Sequence, residues 1–193
     1  MKICIFGAAS SLIAPRYTEV AYEVGKHLAK AGIYMVFGGG NEGMMGACAR
    51  GVHAQRGHVT GIIPEFFKDG EGELLYEDCD EVIYTPDIRT RIKLMEEMSD
   101  GFIVLPGGVG TLEEFFDIYV SLCLDRMAKP MAVLDVNGYF DPLMDMLRKC
   151  VDQGFLSRER LGKFQIYQLE ELPEMMKYLQ NFPQIVAKGK DLL

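Results

Sequence analysis

Gly101-Phe102-Ile103-Val104-Leu105-Pro106-Gly107-Gly108-Val109-Gly110-Thr111-Leu112-Glu113-Glu114 reads as a buried strand, a glycine turn and the opening of a helix. The strand is Gly101 to Leu105, an apolar run closed by Pro106. The helix runs from Thr111 to Leu124, with Leu112, Phe115, Phe116, Tyr119 and Leu122 on one side and Glu114, Asp117 and Ser121 on the other. The same grammar occurs twice upstream. Lys2 to Phe6 leads through Gly7-Ala8-Ala9-Ser10-Ser11 to a helix over Pro15 to Ala31, and Tyr34 to Phe37 leads through Gly38-Gly39-Gly40-Asn41-Glu42-Gly43 to a helix over Met44 to Arg56. Strands and helices that alternate in this way predict an α/β fold, Rossmann-like and doubly wound, with a mainly parallel sheet and helices on both faces.

The remaining elements continue the pattern. Further strands are expected at His58 to Ile63, Glu81 to Tyr84, Pro130 to Leu134 and Phe164 to Tyr167, and helices at Asp87 to Met98, Phe140 to Gln153 and Leu169 to Leu179. Glu65 to Asp80 is acidic and turn-rich, which predicts an irregular or mobile connection. Residues 1–182 are expected to form a single nucleotide-binding domain and residues 183–193 a solvated tail.

Composition narrows the function. The 193 residues are 49% apolar and carry 20 Lys plus Arg against 28 Asp plus Glu. The resulting net charge of −8 repels nucleic-acid backbones and anionic membranes, so neither is an expected partner. Five scattered cysteines without a C-x-x-C pair and three histidines without ligand spacing predict reduced thiols and no metal site. The N-terminal apolar run is too short for a signal peptide, and no stretch approaches the roughly 18 apolar residues of a membrane span, so a cytoplasmic protein is expected.

In open α/β sheets, ligands bind beyond the carboxyl ends of the strands, which points to the three glycine loops. Glycines there let backbone N–H groups approach an anion, and a helix N-terminus favours negative charge. The candidate phosphate ligands are Gly107, Gly108, Gly110 and Thr111, together with Ser10, Gly39, Gly40 and Gly43. The first loop lacks the later glycines of G-x-G-x-x-G, and the third has no lysine before Thr111, so dinucleotide binding and triphosphate hydrolysis both fit poorly. A monophosphate fits better.

Two charged residues stand out. At about 100° per residue, Ile88, Ile92, Met95 and Met98 form one apolar helical face, and Arg91 projects among them. A guanidinium there needs an anionic or carbonyl partner, either a ligand, a structural ion pair or water reached past a packed stem. Glu114 has two readings: a carboxylate facing the loop, or the return arm of a Thr111-x-x-Glu114 capping box.

Pro106 to Glu114 resembles the P-G-G-x-G-T-x-x-E signature of the Lonely Guy family, the cytokinin-activating nucleoside 5′-monophosphate phosphoribohydrolases often labelled lysine decarboxylases. The resemblance extends to Phe6 through Tyr17, Gly38 through Gly46, Gly57 through Pro64 and Ser99 through Phe102. It implies hydrolysis of the N-glycosidic bond of an adenosine-type, N6-plain or cytokinin, monophosphate, with Arg91 and Glu114 as catalytic residues, no cofactor, and a homodimer. The Met-rich helices around Met44, Met45, Met95 and Met98 are the expected pairing surface. Ile88, Ile92, Ala8 and Val109 depart from the usual Met, Lys, Gly and Tyr of the family. The competing expectation is a non-catalytic carrier of nucleotide or molybdenum cofactor, since this fold hosts both.

Overall fold

Successive residues of each central strand point to opposite faces, and both kinds are apolar, so both faces of the sheet must be covered. The computed structural model describes residues 1–69 and 74–190. Its strands are β1 (Lys2–Phe6), β2 (Tyr34–Phe37), β3 (Val59–Pro64), β4 (Glu81–Thr85), β5 (Gly101–Val104), β6 (Met131–Leu134) and β7 (Gln165–Tyr167). They form one sheet in the order β4-β3-β2-β1-β5-β6-β7, with every neighbouring pair parallel. The fold is therefore doubly wound, as the alternation requires. Cys4 of β1 stands between Val36 and Phe102, and the chain reverses its direction of strand addition between β1 and β5. The loops leaving those two strands diverge there and open a crevice.

The helices are α1 (Pro15–Lys30), α2 (Gly43–Ala54), α3 (Ile88–Met98), α4 (Val109–Cys123), α5 (Asp141–Asp152), the single turn α6 (Arg158–Leu161) and α7 (Leu172–Lys190). Ile3, Ile5, Met35, Phe37, Ile103 and Leu105 face α1, α2 and α7 in one core. Cys4, Phe6, Val36, Phe102 and Val104 face α3, α4 and α5 in the other.

α1 and α2 pack unusually closely because neither carries a side chain at the crossing. A Cβ on Gly25 would lie 2.0 Å from the Cys48 carbonyl oxygen, and one on Gly51 would lie 2.1 Å from that of Tyr22. Gly25→Ala should therefore force the helices apart and cost about 1–3 kcal/mol, read as a fall of several degrees in thermal denaturation. An unchanged melting temperature would show that the crossing has slack.

Four expectations need correction. Met44, Met45 and Met95 are buried in the cores and Met98 packs against one, so these methionines offer no pairing surface. On α3, Ile92 and Met95 are buried but Ile88, in the first helical position, is 40% exposed. The last helix does not stop at Leu179; it continues to Lys190. The buried period of Leu172, Met175, Met176 and Leu179 anchors its first half. Finally, the acidic connection is partly ordered: Glu65–Asp69 forms a 3-10 turn, and Leu75 bridges Gly40. Within that connection 70–73 lie outside the described residues, as do 191–193 of the expected tail.

Candidate active site

A cavity of about 250 Å³ occupies the crevice between the β1 and β5 loops, lined by Gly7, Ala8, Ala9, Ser10, Met45, Arg91, Gly108, Gly110, Thr111 and Glu114. It begins where α4 begins. Gly108 is the N-cap of α4, extended at φ −81° and ψ −156°, and the first intrahelical bond runs from the Leu112 N–H to the Gly108 carbonyl. The N–H groups of Val109, Gly110 and Thr111 thus precede that ladder, at the positive end of a four-turn helix. This arrangement corrects the capping-box reading. Thr111 lies inside the helix rather than at its cap, because Gly108, three residues earlier, makes the turn. Gly107 cannot carry a side chain, since its Cβ would fall 2.1 Å from Thr111 Oγ1.

Ala8, which stands where the family usually has glycine, ties the three glycine loops together. Its N–H donates to the Pro106 carbonyl at 3.0 Å, and its carbonyl accepts from the Met44 and Met45 N–H groups at 2.8 and 3.2 Å. The N-terminus of α2 is therefore satisfied by protein, whereas that of α4 faces the cavity. Accordingly, Ser10, Gly108, Gly110 and Thr111 share the cavity with Arg91 and Glu114, while Gly39, Gly40 and Gly43 do not line it. Gly39 (φ +86°) lies against Ile63, Gly40 bridges Leu75, and Gly43 (φ +61°) leaves room for the Ala8 carbonyl.

Arg91, in the first turns of α3, and Glu114, one turn along α4 from Gly110, meet at the cavity wall. Arg91 Nη2 donates to Glu114 Oε1 at 2.7 Å, with the two side chains 13% and 7% exposed. The pair joins two helices that a sequence reading could place only separately. Arg91 Nε is buried and has no hydrogen-bond partner among the described residues. Ile92, where the family usually has lysine, points into the core, so no cation from that position reaches the cavity.

A second chamber of about 260 Å³ adjoins the first through Ala8, Ser10 and Gly108. Its other walls are Ile13, Tyr17, Met44, Pro106, Gly107 and Tyr139, so it is largely apolar. Tyr139 is a functional candidate that the sequence did not reveal. Asp135, at the end of β6, accepts from the Gly138 and Phe140 N–H groups at 2.7 and 2.9 Å and shapes the Asn137-Gly138 turn that presents Tyr139. The Tyr139 hydroxyl then donates to the Gly107 carbonyl at 2.6 Å. The Asn-Gly pair was the available signal, since both residues take positive φ. Losing this bond costs about 1 kcal/mol, so Tyr139→Phe should raise the KM for a phosphorylated ligand about fivefold with a smaller change in kcat. An unchanged KM would detach Tyr139 from the loop's function.

A crevice at the strand switch, an open helix N-terminus and a buried arginine–glutamate pair mark a doubly wound α/β protein with a cleft at the carboxyl ends of its strands. A family model described as "possible lysine decarboxylase" matches residues 45–179. A cytokinin riboside 5′-monophosphate phosphoribohydrolase of Arabidopsis thaliana is 38% identical over 156 residues, covering 81% of this chain and 71% of its own. A probable cytokinin riboside 5′-monophosphate phosphoribohydrolase of Oryza sativa subsp. japonica is 37% identical over 191 residues, covering 98% and 78%. The chain belongs to this family. Among solved structures, the molybdenum cofactor carrier protein of Chlamydomonas reinhardtii is similar with a TM-score of 0.68 at 18% identity, covering 95% of this chain and 98% of that one. The molybdenum cofactor binding protein of Rippkaea orientalis is similar with a TM-score of 0.65 at 21% identity, covering 91% and 94%. Those two likenesses concern the fold. Lysine decarboxylation with pyridoxal phosphate needs a Schiff-base lysine. None is among the described residues lining either chamber, so the site does not fit that group.

Proposed function

We propose that the protein hydrolyses the N-glycosidic bond of adenosine-type nucleoside 5′-monophosphates to the free base and ribose 5-phosphate. The observation that carries this reading is the Arg91–Glu114 pair, one helical turn from an open phosphate loop. A 5′-phosphate on the N–H groups of Gly108, Gly110 and Thr111, with Ser10 opposite, brings the anomeric carbon toward Glu114, because one turn of helix spans roughly 5.4 Å. The C1′–N bond breaks through an oxocarbenium-like ribosyl cation. Glu114 stabilises that cation and takes a proton from the water whose oxygen bonds to C1′, while the bonding electrons leave with the base, which is protonated. Arg91 holds the carboxylate through Nη2. Gly107 shapes the loop, and Gly39, Gly40 and Gly43 support it from behind rather than touching phosphate.

The apolar chamber beside Ser10 and Gly108 supports a base carrying an apolar N6 substituent, in keeping with the names of the relatives. The carrier alternative rests on fold likeness at about 20% identity and has no comparable support in sequence. No metal or organic cofactor takes part in this scheme.

The protein acts in the cytoplasm as a homodimer and binds no nucleic acid. Free cysteines and the net charge of −8 support these points, and no helix among the described residues is long and apolar enough to cross a membrane. The pairing surface is the exposed stripe of α4 formed by Val109, Phe116 and Val120, which starts at the mouth of the cavity. Val120→Asp should yield a monomer by light scattering; an unchanged mass would exclude that stripe.

The assay is chromatography after incubation with AMP, N6-isopentenyl-AMP and adenosine. Base release from both monophosphates and little from adenosine is expected. Equal release from adenosine would remove the phosphate anchor from the scheme.

A further inference from the structure

Gly38 directly follows β2 and is buried against Arg91. A Cβ built on it would lie 3.2 Å from Nη1, 3.3 Å from Cζ and 3.5 Å from Nη2 of Arg91. Three guanidinium atoms at nearly one distance mean that the planar group lies face-on against this residue. Arg91 also lines the 250 Å³ cavity. Hydrogen bonding alone fixes the plane poorly, because Nε has no partner among the described residues and Nη2 makes the bond to Glu114. The missing side chain at Gly38 leaves the space that the guanidinium plane faces.

Gly38 differs in kind from the glycine that follows it. Gly39 has φ +86° and its Cβ would strike Ile63 at 2.5 Å, so a side chain there strains the backbone itself. Gly38 is not among the glycines with positive φ, and any residue can adopt its backbone. The feature that requires glycine at position 38 is the guanidinium.

We propose that Gly38 is a positioning residue for the hydrolysis: its lack of a side chain leaves the Arg91 guanidinium the room to lie where it holds Glu114. The proposal rests on the catalytic reading of Arg91 and Glu114. A methyl group at 3.2–3.5 Å is tighter than ordinary contact, so the guanidinium must shift by a few tenths of an ångström. The cavity lets it do so without disturbing the core, and the displacement is spent on the geometry of Glu114 instead of on stability.

The test is a double-mutant cycle between Gly38→Ala and Arg91→Lys, since lysine has no plane to face Gly38. Base release from AMP, AMP affinity and melting temperature are measured for all four proteins, alongside Glu114→Gln. Gly38→Ala is expected to lose roughly tenfold in kcat, with affinity within about twofold and melting within a few degrees. In the Arg91→Lys background the same change should cost less than about twofold. Wild-type kcat in Gly38→Ala, an undiminished loss in the Arg91→Lys background, or a large fall in melting temperature would each overturn the proposal. If wild type releases no base, or Glu114→Gln is fully active, it is the catalytic reading that has failed.

Discussion

Replacing Glu114 with glutamine should leave a folded protein that binds AMP and scarcely hydrolyses it. Glutamine has the same length, and its amide oxygen still accepts from Arg91 Nη2, so the α3–α4 contact made at 2.7 Å persists. Negative charge is the property removed, and an oxocarbenium ion draws its stabilisation from that charge. Turnover should fall on the order of a hundredfold or more, with melting within a few degrees of wild type. AMP affinity should hold or tighten, because a carboxylate near the phosphate site has become neutral. The corrected geometry sharpens this prediction. With Gly108 as the cap of α4 and Thr111 inside the helix, Glu114 is not the return arm of a capping box. Normal hydrolysis by a folded Glu114→Gln protein would reduce the residue to half of a structural ion pair.

Arg91→Ala should harm both turnover and stability. An arginine committed to a ligand and a catalytic carboxylate leaves the fold less dependent on it, which puts the larger effect on turnover, while its helical period permits the opposite. The packing adds a second cost. Arg91 and Glu114 are 13% and 7% exposed, so removing the guanidinium deprives a buried carboxylate of a charge partner. Breaking such a pair costs roughly 3–5 kcal/mol, which for a chain of this size is on the order of ten degrees in melting temperature. Turnover per folded molecule, assayed well below the new melting point, should also fall about a hundredfold. Arg91→Ala combined with Glu114→Ala should regain part of the stability and none of the activity. Full activity per folded Arg91→Ala molecule would show that the pair serves only the fold.

The strands were legible because a sheet covered on both faces needs near-continuous apolar runs, and β1, β2 and β5 carry them in IleCysIle-, MetVal- and PheIleVal-type stretches. The order of the strands was not legible, since β5 pairs with β1 across the 94 residues between Phe6 and Gly101. Arg91 was legible as a charge on a helix destined for burial. Its partner was not, because contact between residues 91 and 114 depends on where two helices end above the sheet. The methionines misled for a simple reason. Periodicity marks an apolar face without saying whether a core or a second chain covers it, and here the cores cover Met44, Met45 and Met95. Gly25, Gly51 and Gly38 were invisible as individuals, since what each glycine makes room for is a backbone or side chain brought up from elsewhere. Tyr139 was missed because its role passes through Asp135 and a turn to a carbonyl 32 residues away.

A single-turnover experiment separates hydrolase from carrier most directly. Wild-type protein in excess is mixed with radiolabelled AMP, and bound nucleotide, free base and ribose 5-phosphate are quantified over time in the same samples. The expected result is complete conversion of the bound AMP to adenine and ribose 5-phosphate in equal amounts. Recovery of intact AMP from fully occupied, folded protein would contradict the account and leave a nucleotide-binding protein in its place.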